Sequence, residues 1–155
     1  GHLVLSTLHT NDAPSTITRL IDMGLEAFNV ASAVNLVVAQ RLVRRICKHC
    51  AEPVSYPEVV LKSLSMDLEA IKHLQFMKGK GCDSCGGLGY KGRAGLYEVM
   101  ALSPGVRKAI LRGDSATELR EIAVAEGMLT LRMDGLKKIE RGTTTLDEVV
   151  KETAA

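Results

Sequence analysis

Hydrophobic and polar positions in the first third of the chain follow strand, helix, helix, strand spacing. Residues 2–8 are short, apolar and β-branched, which predicts a buried strand followed by a polar loop. Asp12 is a suitable N-cap for a helix that Gly24 ends, with an apolar face at i, i+3 and i+4. A second short helix is predicted over 26–34 and a half-buried strand over 36–46. This order of elements is typical of an α/β fold.

The pattern changes at Cys47, where paired cysteines, prolines and a glycine-rich run begin. We interpret residues 47–92 as an insert and residues 93–100 as a strand that returns to the main body. Only helices are predicted after that strand. Their start signals or apolar stripes lie at Ser103 with Pro104, at 115–118, at 133–139 and at 145–148. The predicted domains are therefore 1–46, 47–92 and 93–155, the last being a strand followed by a helical subdomain.

Composition and charge narrow the class of protein. The chain has 155 residues, 46% of them hydrophobic and 25% charged, which fits one globular domain or one domain with a small insert. Because the formal net charge is +2 and the charges are not segregated, nucleic acid is not an expected partner. The longest apolar runs fall short of the roughly 18 residues that cross a bilayer, and the start does not resemble a signal peptide. Since the chain begins in mid-pattern without Met, we expect a cytoplasmic fragment of a longer protein.

The four cysteines form two pairs, Cys47-Lys-His-Cys50 and Cys82-Asp-Ser-Cys85, separated by 31 residues. Two such C-x2-C knuckles can close a tetrahedral site of four thiolates around Zn²⁺. Because four thiolates leave no open position for water, a zinc site here would be structural and not catalytic. Two redox dithiols or four unrelated buried thiols are the alternatives, and His49 could replace one cysteine as a ligand.

Three patterns that suggest nucleotide or hydrolase chemistry fail on their context. Residues 87–92 match G-x-G-x-x-G, but a dinucleotide-binding turn needs a strand before it and a helix after it, and here a cysteine knuckle precedes and a strand follows. The glycines are better explained as tight turns around a metal. Gly79-Lys80 lacks the earlier Gly and the following Ser or Thr of a P-loop. Ser6 precedes His9 and Asp12, but no nucleophile elbow surrounds it.

Two histidines and an arginine cluster are further candidates. His9 lies at the carboxyl end of the predicted first strand, where ligands bind in open α/β sheets, and His2 lies at its start. Either histidine can instead be a structural hydrogen-bonding residue. A cationic cluster, either a solvated strand edge or a contact for a phosphate or a neighbouring subunit, is formed by Arg41, Arg44, Arg45 and Lys48.

Several segments, in order along the chain, carry a distinctive combination of residues. They are 1–12, 39–47, the two cysteine pairs, 92–100 and 142–149. Together they resemble the ATPases of bacterial type II secretion and type IV pilus assembly, over nearly the whole chain. The resemblance implies the C-terminal portion of a RecA-like ATPase domain from the His box onward, with a tetracysteine zinc insert and a C-terminal helical subdomain. By the same resemblance, His2 and His9 are the His-box histidines near the γ-phosphate.

The resemblance also implies a function and partners. The parent would be a cytoplasmic homo-hexameric ATPase, held at the inner membrane by a platform protein, that powers pilin polymerisation or type II protein secretion. Zn²⁺ would be a structural cofactor, and ATP and Mg²⁺ would bind only the parent, which carries the Walker A and Walker B motifs, so the fragment alone should be inactive. The cysteine pairs favour assembly or secretion over pilus retraction.

The alternative function is a zinc-stabilised module that binds nucleic acid or protein. For nucleic acid its weakness is the small number of aromatic side chains on which bases could stack, since aromatic residues are only 3% of the chain. Salt-dependent binding to mixed DNA would distinguish the two functions.

Overall fold

A computed structural model describes residues 2–63, 71 and 74–154 of the chain. Its elements are α1 (Ala13–Asp22), α2 (Ala27–Ala33), β1 (Leu36–Ile46), β2 (Ala51–Pro53), α3 (Glu58–Ser63), β3 (Met77–Gly79), β4 (Tyr90–Ala101), α4 (Pro104–Arg112), α5 (Ala116–Ala125), α6 (Leu131–Glu140) and α7 (Leu146–Thr153). β1 pairs with β4, and β2 pairs with β3 in antiparallel orientation. This mixture of helices and strands agrees with the predicted α/β class. Parts of the predicted insert, 64–70 and 72–73, lie outside the described residues.

Contacts divide the chain into two units, of which the first comprises residues 1–40 and 97–130. Its helices α1, α2, α4 and α5 pack on one another around a single apolar core. The most deeply buried of its larger side chains are Ile17, Met100, Val106, Ile110 and Leu119. As predicted, α1 begins at an Asp12 cap, whose Oδ1 accepts a hydrogen bond from the Ser15 N–H at 2.8 Å.

The second unit comprises residues 41–96 and 131–155 and contains all four cysteines. Here α6 and α7 pack together, and Ile139, Leu146 and Val149 share a core with Phe76 from the segment between the cysteine pairs. The structure adds α3 and the β2–β3 ladder to this segment, neither of which was predicted. The domain boundaries predicted from the sequence, after residues 46 and 92, stay a prediction.

The beginning of the chain differs from the prediction. Residues 2–10 form neither helix nor strand, and Leu3, Val4 and Leu5 are 84%, 78% and 88% exposed. The predicted buried strand over 2–8 is therefore wrong for this structure. A buried strand requires neighbours that satisfy its backbone groups and cover its side chains, and neither sheet among the described residues includes this segment.

The predicted helix starts near the C-terminus are largely confirmed. The Ser115 hydroxyl accepts from the Glu118 N–H, and the Glu118 carboxylate accepts from the Ser115 N–H at 2.7 Å, which is a complete capping box. Thr145 likewise caps α7 by accepting from the Glu148 N–H. The Glu148 carboxylate, however, binds Arg44, so the second capping box is only half formed. No helix in the described parts of the chain has the length and apolar character needed to cross a membrane.

Candidate metal centre

The four cysteine sulfurs form one cluster. The sulfurs of Cys47, Cys50, Cys82 and Cys85 all lie within 4.8 Å of one another. The Cys47–Cys82 and Cys50–Cys85 sulfur pairs are 3.9 Å apart, and the Cys82–Cys85 pair is 3.7 Å apart. Four sulfurs placed about 2.3 Å from a Zn²⁺ at the centre of a tetrahedron would be about 3.8 Å from each other. These three distances fit a four-coordinate metal, and all four thiols lie together in one cluster.

The β2–β3 ladder explains how the distant cysteine pairs meet. β2 begins directly after Cys50, and Ala51 pairs with Gly79 of β3, shortly before Cys82. The Lys80 N–H extends this pairing by donating to the Cys50 carbonyl at 3.1 Å. The ladder therefore brings the residue after the first cysteine pair next to the residues that precede the second.

Glycine is required where the backbone crosses itself beside the sulfurs. A Cβ on Gly79 would lie 2.0 Å from the Gly89 carbonyl oxygen, and a Cβ on Gly89 would lie 2.2 Å from the Gly79 carbonyl oxygen. Gly81 and Gly87 approach each other similarly, since a Cβ on Gly81 would lie 2.4 Å from the Gly87 oxygen. In the glycine pattern that imitates a dinucleotide-binding turn, Gly89 thus serves close backbone packing beside the cysteines, whereas an added Cβ would meet nothing within 4 Å at Gly87 and only the Arg45 side chain, at 4.0 Å, at Gly92.

The surroundings of the sulfurs favour thiolate at one position and thiol at another. Burial raises the pKa of the Cys50 thiol to about 12. Burial acts in the same direction on Cys85, but N–H groups of Cys82 and Gly89, each 3.2 Å from its sulfur, outweigh it and lower the pKa to about 6. A divalent cation among the four sulfurs would favour the thiolate form of each.

His49, considered above as a replacement ligand, is exposed. Among the described residues, the cluster that could hold a metal consists of the four cysteines alone. Because each cysteine offers one sulfur, the set of ligands is complete without the imidazole.

Arg44 forms a contact that the sequence did not reveal. Its Nη2 donates to Glu148 Oε1 at 2.6 Å, and its backbone N–H donates to Glu148 Oε2 at 2.9 Å. The guanidinium also stacks on the Tyr90 ring, with Cζ 4.2 Å from the ring centre. The hydrogen bond from Arg44 lowers the pKa of the buried Glu148 carboxyl, and the same bond raises the pKa of Arg44. Arg44 is thus ion-paired within its own unit, although its side chain is 53% exposed.

Two threonines before α7 make contacts that the sequence did not predict, although Thr145 was predicted to cap this helix. Thr144 is completely buried, and its hydroxyl donates to the Arg44 carbonyl at 2.8 Å. Thr145, also completely buried, shares a 3.0 Å hydrogen bond with the Tyr90 hydroxyl. The capping box at 145–148 needs only Thr145, so the sole sequence signal for the additional contacts was the run of three threonines.

The candidate histidines lie elsewhere, in the first unit. His2 and His9 are both exposed and belong to the segment without regular structure. The residues after His9 line an open groove of about 350 Å³ formed by Thr10, Asn11, Ser15, Thr18, Arg19, Asp22 and Ala116. Because the groove carries charges of both signs, it is not by itself a phosphate site.

The fold and the site together describe an α/β protein with a cluster of four cysteines that could hold a metal ion. The chain belongs to the type II/IV secretion system protein family, whose family model matches residues 1–151. It is 49% identical over 153 residues to the type IV pilus assembly ATPase PilB of Thermus thermophilus, a match that covers 99% of this chain and 17% of that protein.

Other relatives of the chain belong to both kinds of machine. PilB of Myxococcus xanthus is 46% identical over 155 residues, covering 99% of this chain and 27% of that protein. Type II secretion system protein E of Pseudomonas aeruginosa is 42% identical over 153 residues, covering 99% and 30%. The chain therefore spans less than a third of the length of these relatives. The family predicted from the sequence is confirmed.

Proposed function

We propose that this chain is the C-terminal part, from the His box onward, of a RecA-like ATPase that powers type IV pilus assembly or type II protein secretion. The observation that carries the proposal is the match over residues 1–151, with identities of 49% and 46% to proteins named as pilus assembly ATPases. The proposed domains are those predicted from the sequence, 1–46, 47–92 and 93–155.

In this proposal the four cysteines hold a structural Zn²⁺. The support is the distance of 3.7–3.9 Å in three of the sulfur pairs, with all four sulfurs within 4.8 Å of one another, and the burial of Cys47, Cys50 and Cys85. The metal would cross-link the two knuckles, and its role would be structural because four thiolates leave no coordination position for a substrate. The β2–β3 ladder and the glycine crossing of this chain would hold the two cysteine pairs in position around the metal.

The proposed nucleotide chemistry belongs to the complete protein. Phosphoryl transfer needs a phosphate cradle and a group that holds Mg²⁺, and the 155 residues contain no P-loop sequence. We assign His9, with His2 as the lesser candidate, to the neighbourhood of the γ-phosphate. The complete protein would act as a cytoplasmic homo-hexamer at the inner membrane, in contact with a platform protein, and nucleic acid would not be a partner.

ATP turnover and zinc content test the proposal together. The 155-residue chain should show no ATP binding at micromolar concentration in calorimetry, whereas the longer protein that contains it should hydrolyse ATP. Elemental analysis of chain purified without added zinc should give one zinc per chain. Micromolar ATP affinity of the chain alone, or a longer protein without ATPase activity, would contradict the nucleotide assignment, and zinc content near zero would contradict the metal assignment.

A further inference from the structure

Two consecutive residues connect the cysteine cluster to the start of α7. Gly89 donates its N–H to the Cys85 sulfur at 3.2 Å, and its carbonyl accepts from the Cys47 N–H at 3.0 Å. The next residue, Tyr90, is the first of β4, and its hydroxyl shares a 3.0 Å hydrogen bond with the hydroxyl of Thr145, the N-cap of α7. A displacement of Gly89 at the sulfurs would therefore also displace Tyr90 and disturb its hydrogen bond to the N-cap of α7.

A second connection runs from the same tyrosine through an ion pair. Arg44 stacks on the Tyr90 ring and binds both carboxylate oxygens of Glu148 in the first turn of α7. The Glu148 side chain is only 5% exposed, so this pair is shielded from solvent on the α7 side. Tyr90 thus contacts α7 both directly and through a charged neighbour.

The β2–β3 ladder provides a third connection. Beyond the ladder, the Val54 N–H donates to the Phe76 carbonyl at 2.9 Å, and the Phe76 side chain belongs to the same buried cluster as Leu146 and Val149 of α7. Tyr56 packs edge-on against Phe76, and its hydroxyl donates to an Asp147 carboxylate oxygen at 3.3 Å. The ladder that brings the cysteines together therefore also carries part of the surface on which α7 rests.

We propose that the tetracysteine centre and α7 form one thermodynamic unit, connected by Tyr90 and the Arg44–Glu148 pair, in which a metal bound at the sulfurs strengthens the docking of α7. This inference rests on the proposed zinc site. Coupling free energies are reciprocal, so docking of α7 strengthens metal binding by the same factor. Residues that touch no sulfur, such as Tyr90 and Glu148, consequently determine part of the zinc affinity.

The zinc affinity of two variants of the 155-residue chain tests the connection. Tyr90→Phe removes the hydrogen bond to Thr145, and Glu148→Gln removes the charge that binds Arg44. Each variant should bind zinc on the order of tenfold more weakly in competition with a chromophoric chelator, the size of a typical coupling between sites. Tyr97→Phe and Glu140→Gln are matched controls outside the connection, and both should bind zinc as the unaltered chain does.

Amide hydrogen exchange of α7 gives an independent readout that needs no variant. In the unaltered chain, removal of zinc should raise exchange in α7 at least tenfold, and in Tyr90→Phe this dependence on zinc should shrink. Unchanged exchange in α7 without zinc, or unaltered zinc affinity in both variants, would overturn the coupling while leaving the zinc site intact. Failure of the unaltered chain to bind zinc would overturn the metal assignment and the coupling with it.

Discussion

At the scale of single residues, Glu148 shows how one buried carboxylate joins elements that are far apart in the sequence. It is 4% exposed and lies 104 positions from Arg44, which satisfies both of its oxygens. A carboxylate buried without such a partner would be strongly destabilising. The pair therefore fixes the orientation of α7 against β1 and leaves little room for substitution on the glutamate side.

We expect Glu148→Gln to lower the free energy of unfolding by about 1–2 kcal/mol at pH 7, because charge-assisted hydrogen bonds to Arg44 are lost and Arg44 is half exposed. Since Arg44 lowers the pKa of Glu148 in the folded state, this stabilisation is present above the unfolded pKa of about 4.3 and is lost as pH falls through the folded pKa. The difference in free energy of unfolding between the unaltered chain and Glu148→Gln should therefore disappear in acid. Urea unfolding from pH 7 to pH 3 measures it, with the exposed Glu140→Gln as control, and a difference independent of pH would contradict the assignment.

A second prediction for single residues concerns the two histidines in the proposed longer ATPase. His9→Ala should lower ATP turnover substantially without changing folding or zinc content, because an interaction with the γ-phosphate is strongest during phosphoryl transfer. His2→Ala should have the smaller effect, since His9 adjoins the polar loop and groove and His2 does not. Steady-state ATPase assays of both variants decide the ranking. Turnover at the unaltered level in His9→Ala would refute the role, and a larger loss in His2→Ala would reverse it.

At the scale of elements, the glycine crossing beside the cysteines distinguishes two causes of glycine preference. Gly89 has φ +76°, and a Cβ added to it would lie 2.2 Å from the Gly79 carbonyl oxygen. Gly86 has φ +61°, and a Cβ added to it would meet no atom within 4 Å. Alanine at Gly86 meets only the left-handed conformational cost of about 1–2 kcal/mol. Alanine at Gly89 also forces two backbone segments apart.

Gly89→Ala should therefore destabilise the chain by at least 1 kcal/mol more than Gly86→Ala, because neighbouring backbone cannot move aside as a flexible side chain can. Zinc content should fall in Gly89→Ala alone, since the displaced residue donates its N–H to the Cys85 sulfur. Urea unfolding and elemental analysis of both variants measure the contrast. Equal losses in the two variants would mean that conformation, and not the crossing, explains the glycine at position 89.

The elements that the sequence predicted well are those whose signals are local. β1 occupies the predicted residues 36–46, and α1 and α2 lie within their predicted limits, because caps and periodicity act over a few positions. The failure at 2–8 has the opposite cause, since a strand depends on pairing partners that its own residues do not specify. The cysteine pairs could be matched by spacing alone, whereas the Arg44–Glu148 contact could not, because no local pattern links residues 104 positions apart.

At the scale of the whole molecule, each of the two units has an apolar core of its own. The first is centred on residues such as Ile17, Ile110 and Leu119, and the second on Ile139, Leu146 and Val149. The cysteines belong only to the second unit. A ligand stabilises the folded structure that forms its binding site, and the stabilisation grows with the concentration of free ligand. Zinc should therefore raise the stability of the second unit.

Calorimetry of the 155-residue chain should accordingly show two thermal transitions, of which only one rises in temperature as free zinc increases. Leu119→Ala should lower the other transition, because truncating a side chain that is 1% exposed costs about 2–5 kcal/mol of stability in the first unit. Val149→Ala, completely buried in the second unit, is the reciprocal control and should lower the zinc-dependent transition. A single transition whose temperature shifts with zinc and with both variants would show that the two cores unfold together. In an all-or-none transition, a change in the stability of either core shifts the unfolding of the whole chain.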